Sequence, residues 1–181
     1  MRRSTKAIAP LAAVLLVGGC GGGRGARQPA VVAAPSPAVI AAPVMISTAA
    51  YVAAASSIDL FEMKSAELAL QRVREPANRA FAERVLSAHQ GTSAQLSYAG
   101  RRLNLLPAAR LNPEHQAMLD QLASASDFDG IYRAQQRVVV EQGVRLHGGY
   151  ARSGGSPTLR PVAENAENVM RANLQALRGS R

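Results

Sequence analysis

Few side chains in this chain could do covalent, acid–base or metal chemistry. Of 181 residues, one is Cys (Cys20) and three are His (His89, His115 and His147). A single Cys rules out an intrachain disulfide and any zinc site built on cysteines. Three imidazoles scattered along the chain leave little material for a metal centre. There is no G-x-S-x-G nucleophile turn, no H-E-x-x-H and no phosphate-cradling glycine loop. Asp127 and Asp129 flank Phe128 at the start of a predicted helix, where negative charge suits the helix dipole, so capping is their expected role. Glu164 and Glu167 read as a solvated helix face, and His115, in the first turn of a short helix, reads as a surface residue. None of these groups forms a catalytic constellation.

The lone Cys sits in a distinctive context. Residues 1–20 read MRRSTKAIAPLAAVLLVGGC. Arg2, Arg3 and Lys6 form a basic head, and the apolar stretch Ala7 to Val17 is too short to cross a bilayer as a stable helix. The apolar–small–small–Cys ending resembles the lipobox of bacterial lipoproteins. That resemblance implies residues 1–19 as a signal peptide, cleavage before Cys20, and acylation of its sulfur and new amino group. More than one acyl chain makes attachment stable, at about 0.8 kcal/mol per buried CH₂. Gly21, in place of the Asp that marks inner-membrane retention in Gram-negative lipoproteins, points to the outer membrane, facing the periplasm.

The full chain has 21 Lys+Arg against 12 Asp+Glu, a formal charge of +9. Loss of Arg2, Arg3 and Lys6 with the signal peptide leaves 18 basic residues against the same 12 acids, a net of +6. The bases are nearly all Arg, spread among acids and without interleaved aromatics, so nucleic-acid binding is excluded as a reading. A mild attraction to anionic lipid or cell-wall polymer fits that balance.

Residues 20–46 are rich in Gly, Ala and Pro, and Pro29, Pro35, Pro37 and Pro43 forbid a continuous helix, so this stretch reads as a tether. All seven aromatics lie between Tyr51 and Tyr150, which places the folded domain at 47–181. Its periodicity is helical throughout. The first helix is expected from about Thr48 to Val73, with Ser47 or Thr48 as N-cap. Its inward stripe is Tyr51, Ala55, Ile58, Phe61 or Glu62, Ser65, and Leu68 or Ala69. Pro76 opens a second helix to about Arg102, carrying Phe81, Val85, Ala88 or His89, Thr92, Leu96 and Ala99 inward. A loop broken by Pro107 leads to a short helix from Asn112-Pro113 to Ser124. Ser126 or Asp127 then caps a helix to about Arg152, with Phe128, Ile131 or Tyr132, Gln135, Val138 or Val139, Gln142 and Leu146 inward. The Ser153–Ser156 breaker precedes a last helix from Ser156-Pro157 to Arg178. Four long helices and short breaks predict an all-α, antiparallel four-helix bundle with one extra short helix.

Several stretches together resemble a known family: Tyr51-Val52-Ala53-Ala54-Ala55 with Glu62, Leu68-Ala69, Phe81-Ala82, Ser87-Ala88-His89, Leu111-Asn112-Pro113-Glu114-His115-Gln116, Phe128-Asp129-x-x-Tyr132, and Leu159 with Ala163. In this order they resemble the ferritin-like domain-of-unknown-function family 4142 of envelope proteins. The resemblance implies a ferritin-like bundle without a settled activity. It also implies a polar signature from which this chain departs. Ala88 stands where an acid precedes the His of helix two, Val140 where the next long helix carries a His, and Asn173 where the last helix carries one. Glu62 and His89 remain, as the weak candidates for a metal such as iron or another transition metal. A ferritin-type di-metal site needs Glu from two helices and Glu-x-x-His from two more, and Val is no ligand while Asn is a poor one. The expectation is therefore no cofactor, with Glu62 and His89 a hydrogen-bonded polar pair at the core edge. His147, two turns beyond Val140 but followed by Gly148-Gly149, is expected to be solvated or to face lipid.

The functional expectation is an envelope lipoprotein presenting a bundle for interaction or stress protection, not an enzyme. Its expected contacts are the membrane, through the anchor, and a protein or cell-wall partner, with no nucleic acid. The alternative is a ferritin-like metal binder using the Glu62/His89 remnant. A third class is a small apolar ligand between the helices, where Ala55, Ser65, Ala88 and Ala99 either leave room or allow close packing.

Overall fold

The computed structural model describes residues 46–179. The signal peptide, Cys20 and most of the tether lie outside them. The described residues form five helices: α1 (Thr48–Arg72), α2 (Pro76–Arg102), α3 (Pro113–Ser124), α4 (Phe128–Ser153) and α5 (Arg160–Gly179). The architecture is the expected all-α four-helix bundle with one extra short helix.

The helix ends follow local chemistry. Ser47 accepts a hydrogen bond from the Ala50 amide, Asn112 from that of His115 and Asp127 from that of Gly130, each satisfying a backbone donor left free at a helix start. Pro76 and Pro113 occupy first-turn positions, where a missing N–H costs nothing. The last helix begins at Arg160, later than expected from Ser156-Pro157, although the Ser156 carbonyl already accepts from the Leu159 and Arg160 amides.

α1 packs on α2 and α4, and α5 packs on the same two. Side-chain pairs fix the directions. Tyr51 meets His147 and Ser65 meets Gln136, so α4 runs antiparallel to α1. Gln95 meets Asn165 and His89 meets Asn173, so α5 runs antiparallel to α2. α2 and α4 are therefore parallel, and residues 103–127 must return along the length of the bundle. This is the single long crossover of ferritin-like bundles. α3 is the helical part of that return and lies on α1 and α4. Ser56 Oγ and Ser57 Oγ of α1 pin it by accepting from the Ala108 and Asn112 amides.

Because α2, α3 and α4 all cover α1, its buried positions spread over most of its circumference, and Ser56, Ser57 and Asp59 are buried as well as Tyr51, Val52 and Ala55. α5 has neighbours on one side only, and its buried residues (Ala163, Ala166, Met170, Asn173, Leu177) form a narrow stripe. α4 and α5 approach closely at Gly143, where a Cβ would come within 2.8 Å of the Met170 sulfur. Leu122, Tyr132, Val139, Val140, Phe61, Val85 and Met170 join in the main apolar core.

Asp129 does more than suit its own helix. Its carboxylate accepts from the Arg74 amide at 3.1 Å, the Glu75 amide at 3.3 Å and Asn78 Nδ2 at 2.7 Å. It thus caps α2, whose own N-cap residue Glu75 makes no side-chain cap bond. Burial tends to raise its pKa, but these donors and the Arg74 charge prevail and hold it below the usual 3.8. A depressed carboxylate stabilises the fold above its ordinary range and loses that contribution as pH falls through the folded value. Asp129→Ala is expected to cost about 1 kcal/mol of unfolding free energy at pH 7 and much less near pH 2, as measured by urea unfolding at both pH values.

Candidate functional site

Four helices place polar side chains in one buried tier at mid-bundle. Asp59 and Glu62 come from α1, His89 and Thr92 from α2, Tyr132 and Gln136 from α4, and Asn173 from α5. Their exposure is 2 % for Asp59, 0 % for Glu62, 1 % for His89 and 1 % for Asn173, so a solute in bulk water has no direct access to them.

The polar contacts of the tier form one chain. Arg84 Nε donates to Asn173 Oδ1 at 3.4 Å, and Asn173 Nδ2 approaches His89 Nε2 at 3.4 Å. His89 Nδ1 meets Asp59 Oδ1 at 2.8 Å, and Thr92 Oγ1 donates to the same oxygen at 2.7 Å. Burial, the largest influence on His89, lowers its pKa. The bond to Asp59 and the charges of Glu62 and Asp59 outweigh it and leave the imidazole above its usual 6.5. Buried charge is tolerated only when paired in this way.

Glu62 has no such support. Neither carboxyl oxygen has a hydrogen-bond partner among the described residues. The nearby Gln136 Nε2 donates one hydrogen to Ser65 Oγ at 3.0 Å. Burial drives the Glu62 pKa upward. His89 and the Gln136 amide oppose it, Asp59 adds to it, and the result is about 7. Tyr132 Oη and Gln136 Oε1 are also buried and unpartnered, and burial together with Glu62 pushes the Tyr132 phenol up. A neutral Glu62 carries an O–H that can donate, which an ionised one cannot.

The expected Glu62–His89 pair is thus replaced by an Asp59–His89 pair, with Glu62 beside it and fully buried, not at the core edge. Asp59 escapes a hydrophobic-stripe reading because a carboxylate at a core position breaks the apolar pattern. Its signal is its place one turn before Glu62, opposite the His89 and Thr92 positions of α2.

Two further histidines correct their sequence expectations. His147 is buried, not solvated or lipid-facing, at 2 % exposure. Its Nδ1 bonds Tyr51 Oη at 3.0 Å, its Nε2 has no partner, and Tyr51 stacks on Tyr150 with ring centroids 3.8 Å apart. Burial lowers its pKa to about 4; His89 adds to this, and Asp59 and Glu167 oppose it. His115 is also buried, not a surface residue. Its Nδ1 lies 2.7 Å from Ser57 Oγ and its ring packs on Phe61. It opens the same i, i+3, i+4, i+7 stripe as Met118, Leu119 and Leu122, the signal by which it could have been found. Glu167 is only partly solvated, ion-paired with Arg171 and facing Gly148, whereas Glu164 is exposed.

Val140 is fully buried in apolar packing and Asn173 is spent on Arg84 and His89. Among the described residues no three His, Cys, Asp or Glu side chains are grouped so as to hold a metal ion. His89 has a neighbour at each ring nitrogen. The donors present do not fit a ferritin-type metal centre.

The family profile described as a domain of unknown function (DUF4142) matches residues 33–179. The chain belongs to that family. No curated protein matches this DUF4142 chain in sequence. Among solved structures it is similar to CopM in the Cu(II)-bound form, at 15% identity and a TM-score of 0.63, covering 75% of this chain and 95% of that one. It is also similar to a DUF305 fragment from Deinococcus radiodurans, at 15% identity and a TM-score of 0.55, covering 72% and 92%. At this identity the likeness is one of fold. The DUF4142 match begins before α1, so the family's common sequence includes part of the proline-rich approach to the bundle.

Proposed function

We propose that this DUF4142 protein is an envelope lipoprotein, attached through acylated Cys20 to the outer membrane, whose bundle serves as a binding or protective module and not as an enzyme. The observation that carries this reading is the closure of the polar tier. Its ionisable groups are buried, and its imidazole is engaged on both nitrogens by other side chains. A catalytic base must reach its substrate directly or through one water, and these groups are closed off from bulk water inside the bundle. The lipobox-like ending at the lone Cys supports the anchor, and the Pro/Ala stretch supports a tether that gives the bundle freedom to reorient about it.

The test of the anchor is metabolic labelling with palmitate, followed by membrane fractionation. The wild type is expected to take up label and to sediment with the outer membrane. Cys20→Ala is expected to lose the label and to leave that fraction. An unlabelled wild type removes the lipoprotein reading. The transition-metal reading draws on the unpartnered Glu62 carboxyl. Metal analysis of purified wild type, Glu62→Ala and His89→Ala separates it: stoichiometric metal lost in both variants would establish it.

A further inference from the structure

The end of the bundle from which α1 starts differs from the rest of the surface. The α1 start, the α2 end, the α4 end and the α5 start meet there: Thr48 Oγ1 accepts from Tyr150 Oη at 3.1 Å, and Tyr98 and Arg102 share a cleft with Thr158 and Val162. No Asp or Glu occurs in the three stretches that build it, residues 46–58, 91–113 and 142–163. Arg101, Arg102, Arg110 and Arg160 are all exposed there. Arg152 also belongs to this end but reaches back to Glu167 at 3.9 Å.

Helix dipoles account for part of this charge. Arg101 and Arg102 lie in the last turn of α2, where cations are favourable. Arg110 lies in a loop, and Arg160 lies in the first turn of α5, where a cation has the wrong sign for the dipole and no acid shares that turn. The helix dipoles do not account for those two.

Apolar exposure is concentrated at the same end. Among the described residues four large apolar side chains are exposed, and Tyr98 (62 %), Leu106 (72 %) and Ile46 (37 %) are three of them. Leu106 is held out by a tight turn. The Gly100 carbonyl accepts from the Leu103 and Leu105 amides, Asn104 takes a left-handed φ of 55°, and a Cβ on Gly100 would strike the Leu105 carbonyl at 2.2 Å. The described chain also begins at this end, with Ile46.

We infer that this arginine-ringed, apolar-tipped end docks on an anionic lipid bilayer. The inference rests on the lipoprotein reading for its biological setting but not for its chemistry. Arginines bind the phosphates, while Leu106 and Tyr98 enter the headgroup region, where aromatic and aliphatic side chains partition favourably. A bundle docked in this way has a fixed orientation, with α3 and the opposite end directed away from the membrane.

The experiment uses unacylated residues 20–181 carrying Cys20→Ser, and vesicles of phosphatidylglycerol with phosphatidylethanolamine or of phosphatidylethanolamine with phosphatidylcholine. Co-sedimentation is expected with the anionic vesicles only, weakening as salt rises. Each arginine near an anionic surface is worth roughly a fivefold change in partition. The combined variant R101Q/R102Q/R110Q/R160Q is therefore expected to bind several hundredfold more weakly. Leu106→Ser, at an exposed site that leaves the fold intact, is expected to weaken binding several-fold. The control R74Q/R79Q/R137Q/R178Q removes the same charge elsewhere, and circular dichroism verifies folding of every variant. No binding to anionic vesicles overturns the inference, as does an equal loss in the control. Binding to a soluble polyphosphate that is as tight as to vesicles and indifferent to Leu106→Ser also overturns it, in favour of a polyanion site. Vesicle binding by a protein found unacylated in cells would sink the lipoprotein reading alone; an acylated protein that ignores vesicles would sink this one alone.

Discussion

Glu62→Gln is expected to be nearly neutral for stability at pH 4 and stabilising at pH 8, the difference amounting to about 3 kcal/mol. The folded carboxyl titrates near 7 against 4.5 for the ordinary group. Below 4.5 both folded and unfolded chains hold the proton. Between 4.5 and 7 the unfolded chain releases it while the buried one keeps it, so stability falls as pH rises. Above 7 the loss is complete, and Gln removes all of it. His147 has the opposite sign. Its folded pKa near 4 lies below the ordinary 6.5, so its contribution is present above 6.5 and is lost as pH falls toward 4. The two slopes offset one another between about 4.5 and 6.5. The wild type is accordingly expected to show little slope from this pair in that interval. Glu62→Gln should unmask stability that rises with pH, and His147→Gln stability that falls with it. His89, raised above 6.5, adds a contribution that is held below 6.5 and lost as pH rises through its folded value. Urea unfolding at pH 4.5, 5.5, 6.5 and 7.5 on the three proteins reads these slopes. An effect of Glu62→Gln that is the same at every pH would refute the buried neutral acid.

The second large effect is expected at Asp59. Asp59→Ala removes the partner of a buried imidazole and the acceptor of Thr92. Breaking one side of such a pair costs about 3–5 kcal/mol, because the remaining polar group stays buried without compensation. His89→Ala is expected to cost a comparable amount. The double variant should cost less than the sum, with a coupling of about 1–3 kcal/mol. A Glu62→Ala/His89→Ala cycle, by contrast, is expected to show a smaller coupling, since no hydrogen bond joins the two. Additive costs for Asp59 and His89 would mean that their contact in the folded protein carries no energy.

Much of this molecule was legible in one dimension. Ser47, Pro76, Asn112-Pro113 and Asp127 mark helix starts by local chemistry that needs no tertiary partner, and each begins a helix as expected. The α2 stripe Phe81, Val85, His89, Thr92, Leu96 and Ala99 is buried as its spacing predicts. α1 and α4 were less legible. α1 is covered on three sides, so burial there does not follow a single stripe. α4 presents Gly143 and Gly148 to its neighbour, positions that carry no hydrophobic signal yet are buried because α5 approaches them closely. Leu146 fits the apolar pattern better than His147, but His147 is the residue that turns to Tyr51.

Composition and spacing by themselves determined the number of helices, most of their ends and the bundle class, because turns, caps and 3.6-residue periodicity act within a few residues. Only the tertiary structure decided which polar residues are buried and with whom. A buried Asp or His is stable solely because a residue 30 or more positions away supplies the matching donor or acceptor, and such pairing across helices depends on their register, which no local pattern encodes.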